Sequence, residues 1–309
     1  MNKLPSNQNL VCFVIIATLA ASIGILISGC AQISQGVAAV GVATGTINQD
    51  QAKSIVKTGE AFGKAMEQIT PEQEYYVGRA VGATILQQYK PYNNEAATMY
   101  LNEVGQTIAA ASDRPETFKG YHFLIMDTDE INAFAAPAGF IFVSRGMLKL
   151  CRSEDELAAV LAHEVGHVQD KDAINAISNS RWTSAFTILT AEAGKSLGGE
   201  QLKDLTTAFE GSISDISKKL ITSGYARGQE RDADKVAVKI MSRLGYDPNA
   251  LVSVLQNMST KIKPEAGFGK THPPPGDRIK DLRSIIGNAA AAPAPAARQQ
   301  RFAAAMAGV

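Results

Sequence analysis

Five residues, His163-Glu164-Val165-Gly166-His167, carry the densest chemistry in the chain. On a helix His163 and His167 lie one turn apart and project from the same side, where two neutral imidazoles can grip one Zn²⁺. Glu164 beside them can act as base toward a water activated by that metal. A catalytic zinc takes three protein ligands and keeps one position open, so the pattern asks for one more donor, and Glu is a common one. Glu230 fits that place. Asp234, one turn further along, fits a supporting place, accepting a hydrogen bond from the outer ring N–H of a zinc-bound histidine and fixing its tautomer. On their own, Glu230 and Asp234 would read as carboxylates solvating a helix face with Arg231 and Lys235. Beside an HExxH stretch the ligand reading prevails. His122, with no partner at ligand spacing, reads as a strand histidine.

Positioning these groups requires helices at both places. Ser153 and Glu156 form a capping-box pattern that predicts a helix start, and Leu157, Val160, Leu161 and Val168 recur at helical spacing on one face. The helical pattern runs on past Asp170. A second helix is predicted from about residue 229 to 244, with Val236, Ala237, Ile240, Met241 and Leu244 on one face and Gly245 as C-cap. Upstream, Thr70, Pro71 and Glu72 to Glu74 predict a helix start, the helix running to about Tyr89. Another helix spans about 94–111 and is broken at Asp113-Arg114-Pro115. Residues 121–126 and 138–143 read as strands, joined by a turn and a short extended piece. Residues 174–221 alternate apolar and polar, as one or two amphipathic helices that pack the core or cover the site; Trp182 there reads as core filling.

Lysine plus arginine balance aspartate plus glutamate at 30 each, which leaves no basic surface to recruit nucleic acid. The three cysteines, Cys12, Cys30 and Cys151, form no CxxC pair, and Cys151 reads as a structural thiol. An unbroken, largely apolar run covers the 18 residues from Leu10 to Ile27. That length is long for a signal-peptide core and just enough for a membrane span. The following Ile27-Ser28-Gly29-Cys30 resembles a bacterial lipobox, which predicts a signal peptide over 1–29 and lipidation of Cys30. Ala31, rather than Asp, at the second mature position implies the periplasmic face of the outer membrane; the alternative is an uncleaved inner-membrane anchor facing the periplasm. Residues 30–68 read as a tether, 69–287 as the catalytic domain, and 288–309 as an Ala/Pro-rich tail, disordered or loosely helical.

Four blocks in order carry a resemblance over about residues 69–285. They are Asn132-Ala133-Phe134 with Pro137 and Gly139; His163 to His167; Tyr225-Ala226-Arg227 with Glu230 and Asp234; and His272-Pro273 with Arg278. Together they resemble the HtpX-like, CAAX-prenyl-protease-like zinc metallopeptidases, in their periplasmic lipoprotein branch. The resemblance implies an α+β, predominantly helical, gluzincin-type domain with a small sheet flanking the HExxH helix. It implies one Zn²⁺ on His163, His167 and Glu230, with Glu164 as catalytic base. The Asn132–Phe142 segment would be the sheet edge where extended substrate pairs, Asn132, Ala133 and Phe134 lying at its start. For His272 two roles stand open: a fourth zinc ligand that keeps the enzyme latent, or charge stabilisation of the tetrahedral intermediate shared with Arg278. The implied function is hydrolysis of misfolded or mis-assembled envelope proteins, with a link to the outer-membrane assembly machinery. The alternative is a chaperone-like lipoprotein that binds unfolded outer-membrane proteins with little proteolysis.

Overall fold

The structure is a computed structural model and describes residues 42, 49–50, 53, 70–175, 210–211, 213–261, 268–287 and 293–309. The apolar run, Cys30, most of the tether and Trp182 lie outside the described residues. The chain divides into two compact units, Met1–Gln68 and Ile69–Val309. The second unit is α+β and mostly helical, with one three-stranded sheet.

Helix α1, Pro71–Gln88, starts as the sequence predicts: Thr70 and Gln73 close a reciprocal capping box and Pro71 occupies the first turn. Helix α2, Glu95–Ala110, is capped by Asn94. Strands β1 (His122–Met126), β2 (Ala133–Ala136) and β3 (Phe140–Ser144) form a sheet in the order β1-β3-β2. β3 is parallel to β1 and antiparallel to β2. Two points differ from the sequence reading. The short extended piece is itself a strand, β2, and β3 starts at Phe140 because Pro137–Gly139 form a tight 3-10 turn. Ala138 and Gly139 hold positive φ there, 60° and 88°, so the chain reverses between β2 and β3 within three residues.

Side chains alternate across the sheet with the period of two that a pleated strand imposes. Phe123, Ile125, Ala133, Ala135, Ile141 and Val143 enter the main core, and Met126, Phe134, Ala136 and Phe142 a second core against Val77, Val81 and Ile85 of α1. The outer edge of β1 is closed by α2: Asn102 bonds both the N–H and the C=O of Phe123, and Gln106 donates to the Tyr121 carbonyl. β2 is the opposite edge.

After the short helix α3, Arg145–Leu150, helix α4, Glu154–Gln169, runs through the centre, buried from Glu154 to Val168. The sequence predicts one apolar face; the structure buries the polar face too, and in the first turn Glu154 and Glu156 find donors. Glu154 accepts from Tyr100 and Tyr246, and the Glu156 carboxylate accepts the Arg152 N–H at 2.7 Å while Ser153 caps the Glu156 N–H. These acids also sit at the positive end of the helix dipole. The helix stops at Gln169, where Lys171 turns left-handed at φ 57° and leads into the one-turn α5, Asp172–Asn175. The pattern that ran on past Asp170 is thus broken at this turn.

Helix α6, Arg227–Leu244, crosses α4 closely. A Cβ on Gly166 would lie 3.1 Å from the Ala233 backbone, so the glycine inside the HExxH stretch lets the two helices approach. Gly245 ends α6 in the left-handed conformation at φ 67°, where the missing Cβ avoids strain. Helices α7 (Asn249–Ser259), α8 (Phe268–Thr271) and α9 (Pro275–Ile286) complete the wall around α4.

The Ala/Pro-rich tail, read as disordered or loosely helical, forms helix α10, Ala296–Met306, and docks. Its Phe302 is buried beside Tyr100, while Arg298 and Arg301 bind Asp155 and Glu154 at the start of α4. The Tyr92 hydroxyl donates to the Gly308 carbonyl at 2.8 Å. Cys151 is a buried free thiol in the main core. No helix of the described residues is long and apolar enough to cross a membrane.

Candidate metal centre and active site

Four elements converge on one buried cluster. α4 supplies His163, Glu164 and His167; α6 supplies Glu230 and Asp234; the turn after α8 supplies His272; and α9 supplies Arg278. One ligand atom each from His163, His167, Glu230 and His272 lie within 4.8 Å of one another, all buried. The two Nε2 atoms of His163 and His167 are 3.2 Å apart, and they stand 3.5 and 3.7 Å from the Glu230 oxygens. Ligands held tetrahedrally at Zn–N distances near 2.0–2.1 Å sit about 3.3 Å from each other. The spacing fits.

The hydrogen bonds behind the rings decide which atoms face inward. The Asp234 carboxylate lies 3.0 Å from His163 Nδ1, and the Asp172 carboxylate lies 2.7 Å from His167 Nδ1. A carboxylate only accepts, so each Nδ1 carries the proton and each Nε2 lone pair points into the cluster. Two lone pairs facing each other beside the Glu230 carboxylate need a cation between them. The Glu230 Oε1 atom has no hydrogen-bond partner among the described residues, as a ligand oxygen awaiting a metal would. Burial would raise the Glu230 carboxyl, yet the neighbouring His272, His163 and His167 hold it well below the usual carboxylate range. The donor set therefore fits a divalent metal of intermediate softness.

Asp234 lies beside His163, its carboxylate at the outer ring nitrogen. Arg278 is buried and forks onto that same carboxylate, Nε to Oδ2 at 3.0 Å and Nη2 to Oδ1 at 2.6 Å. Burial opposes ionisation of Asp234, but Arg278 and His163 outweigh it and hold the group down at about 2. In this structure Arg278 thus fixes Asp234, while its Nη1 has no hydrogen-bond partner among the described residues. His272 stacks flat on Phe268 and places Nδ1 2.9 Å from Glu230 Oε2.

Sequence reasoning missed Asp172, which does for His167 what Asp234 does for His163, and Gln229, whose amide donates to Asp172 at 2.8 Å. The signal lay five residues beyond His167 and was hidden because the helix was carried through it.

Asn132, Ala133 and Phe134 stand at the start of β2. Asn132 is fixed by exchange with Ser144 and bonds its side-chain oxygen to the Ala133 N–H, while Ala133 and Phe134 line the cleft with Glu164. β2, the edge strand of the sheet among the described residues, therefore runs along the catalytic groups. Opposite it lie Leu220, Gly224, Tyr225, Thr271 and His272, enclosing a cavity of about 10 Å³, space for one water at most. A Cβ on Gly224 would lie 1.7 Å from the Thr271 carbonyl oxygen, so this cover is tightly seated. Residues 213–223, the described end of the amphipathic stretch, bury Ile216 and Leu220 and so both pack the second core and cover the site. Burial and the nearby Asp172, Glu164 and Glu230 carboxylates hold the Tyr225 hydroxyl well above its ordinary value.

A helix presenting two histidines and a carboxylate, completed by a glutamate from a second helix, defines an HExxH metallohydrolase centre. The chain belongs to peptidase family M48, which matches residues 95–286. It is 25% identical over 266 residues to the beta-barrel assembly-enhancing protease of Escherichia coli K12, covering 82% of this chain and 52% of that one. It is 30% identical over 208 residues to the mitochondrial metalloendopeptidase OMA1 of Schizosaccharomyces pombe, covering 66% and 56%. It is 24% identical over 198 residues to the metalloprotease LoiP of Escherichia coli K12, covering 62% and 71%. The chain spans about half the length of the first of these relatives. Family and relatives agree with the resemblance drawn from the four sequence blocks.

Proposed function

We propose that this protein is a zinc-dependent endopeptidase of the bacterial cell envelope, hydrolysing peptide bonds of misfolded or mis-assembled envelope proteins. One observation carries the reading: Glu164 lines one cleft together with β2, the edge strand among the described residues, and with His272 of a four-donor metal cage. Zinc, when bound by His163, His167 and Glu230, would polarise the scissile carbonyl and draw the pKa of water toward neutrality. In this reading an extended substrate pairs with the β2 edge as a further strand. Glu164 Oε1, buried and without a partner among the described residues, takes a proton from the attacking water and passes it to the leaving amine.

His272 acts as a latch in this proposal. Its bond to Glu230 and the cover over the cleft describe a closed form, which opens when His272 swings away. A charge-assisted hydrogen bond contributes about 1.5–3 kcal/mol, so His272→Ala should raise casein cleavage roughly 10- to 100-fold. A fall instead would assign His272 to catalysis. Lipidation of Cys30 places the enzyme on the periplasmic face of the outer membrane. The names of the bacterial relatives support a link to outer-membrane assembly. The test of the whole reading is cleavage of casein and of an unfolded outer-membrane protein, stopped by chelator and restored by zinc. If wild type and His272→Ala both leave these substrates intact, the peptidase reading fails.

A further inference from the structure

Tyr225 takes no part in the proton transfers assigned to Glu164, yet it occupies the same cleft as Glu164 and the β2 edge. Its ring lies on the His167 ring, centroids 4.4 Å apart and planes at 32°. Its hydroxyl is buried and has no hydrogen-bond partner among the described residues. Buried phenol hydroxyls ordinarily find an acceptor, because leaving the O–H unmet forfeits its bond to water. The cleft thus holds two polar groups without partners: an acceptor, Glu164 Oε1, and a donor, the Tyr225 O–H. Peptide hydrolysis asks for this pair, a base for the water and a donor for the oxygen that gains charge. Of the other nearby donors, His272 is committed to Glu230, and Arg278 forks onto Asp234 with its Nη1 3.6 Å from Glu230 and does not line this cleft.

We propose that the Tyr225 hydroxyl is a catalytic hydrogen-bond donor to the carbonyl oxygen of the scissile bond; this rests on the peptidase reading. As the water oxygen bonds to the carbonyl carbon, its proton goes to Glu164 and the C=O π pair moves onto the carbonyl oxygen. That oxygen accepts the Tyr225 O–H. On collapse the C=O reforms, the C–N bond breaks, and the Glu164 proton goes to the amine. Tyr225 keeps its own proton throughout.

The test is Tyr225→Phe in the zinc-loaded full chain, which keeps the ring on His167 and removes one oxygen. We expect kcat/KM to fall about 100-fold with KM unchanged, as for loss of one oxyanion donor. Affinity for a phosphinic peptide, whose charged tetrahedral oxygen imitates the reacting one, should fall in parallel. Zinc content should be unchanged and Tm equal to or above wild type, since a buried unpartnered group has been removed. A structural hydroxyl would behave in the opposite way, lowering Tm or zinc content, and that result overturns the assignment. So does cleavage and phosphinate affinity within twofold of wild type while Glu164→Gln is inactive, which would leave the peptidase reading standing. If wild type neither cuts nor binds the phosphinate, the peptidase reading fails and this one with it.

Discussion

Replacing Glu164 with Gln is expected to lower peptide cleavage by about 10⁴-fold, the upper range for removing a general base, while zinc stays bound. The variant preserves shape and changes only the ability to take a proton. Glu164 is not among the four cage residues, so the donor set is untouched. Its Oε1 has no partner among the described residues, so no hydrogen bond at that atom is lost on substitution. Thermal stability should therefore match or exceed wild type. Activity at the wild-type rate would mean that another group moves the proton. The inactive, zinc-loaded variant would also retain substrates, and their identification in cells would name the proteins this site acts on.

Asp234→Ala should be the most damaging substitution for stability near the site. The Asp234 and Arg278 side chains are 1% and 4% exposed, and removing Asp234 strips a buried guanidinium of the carboxylate it forks onto, leaving only Glu230 at 3.6 Å. Breaking a buried pair in this way costs about 3–5 kcal/mol, read as a lowered urea midpoint in chelator. The same change strips His163 of the acceptor at Nδ1, which should weaken zinc binding by roughly 10- to 100-fold. The two losses separate in Asp234→Ala with Arg278→Met. Replacing both charges should restore most of the stability while zinc affinity stays low. Equal recovery of both, or additive losses in the cycle, would contradict the assignment of Asp234 to both partners.

Much of the centre was legible because helical period alone sets it. His163 and His167, then Glu230 and Asp234, are each one turn apart; Ser153 marked the start of the first helix and Gly245 the end of the second. Asp172 was hidden by the left-handed Lys171, a turn that a non-glycine residue gives no warning of. β2 was hidden because Ala133, Phe134, Ala135 and Ala136 include no β-branched residue, and the strand exists through its pairing with β3. The docked tail was hidden by composition. Its alanines mask Arg298, Arg301 and Phe302 on one helical face, whose partner Glu154 is 147 residues from Arg301. Each miss is a tertiary contact that no local pattern records.

The most direct test of the metal centre is the zinc content of the untagged chain after dialysis against micromolar zinc, measured beside Glu230→Ala. The geometry predicts about one zinc per chain for wild type and less than about a tenth for the variant, with both still folded. A folded wild type without zinc, or full zinc in Glu230→Ala, would contradict it.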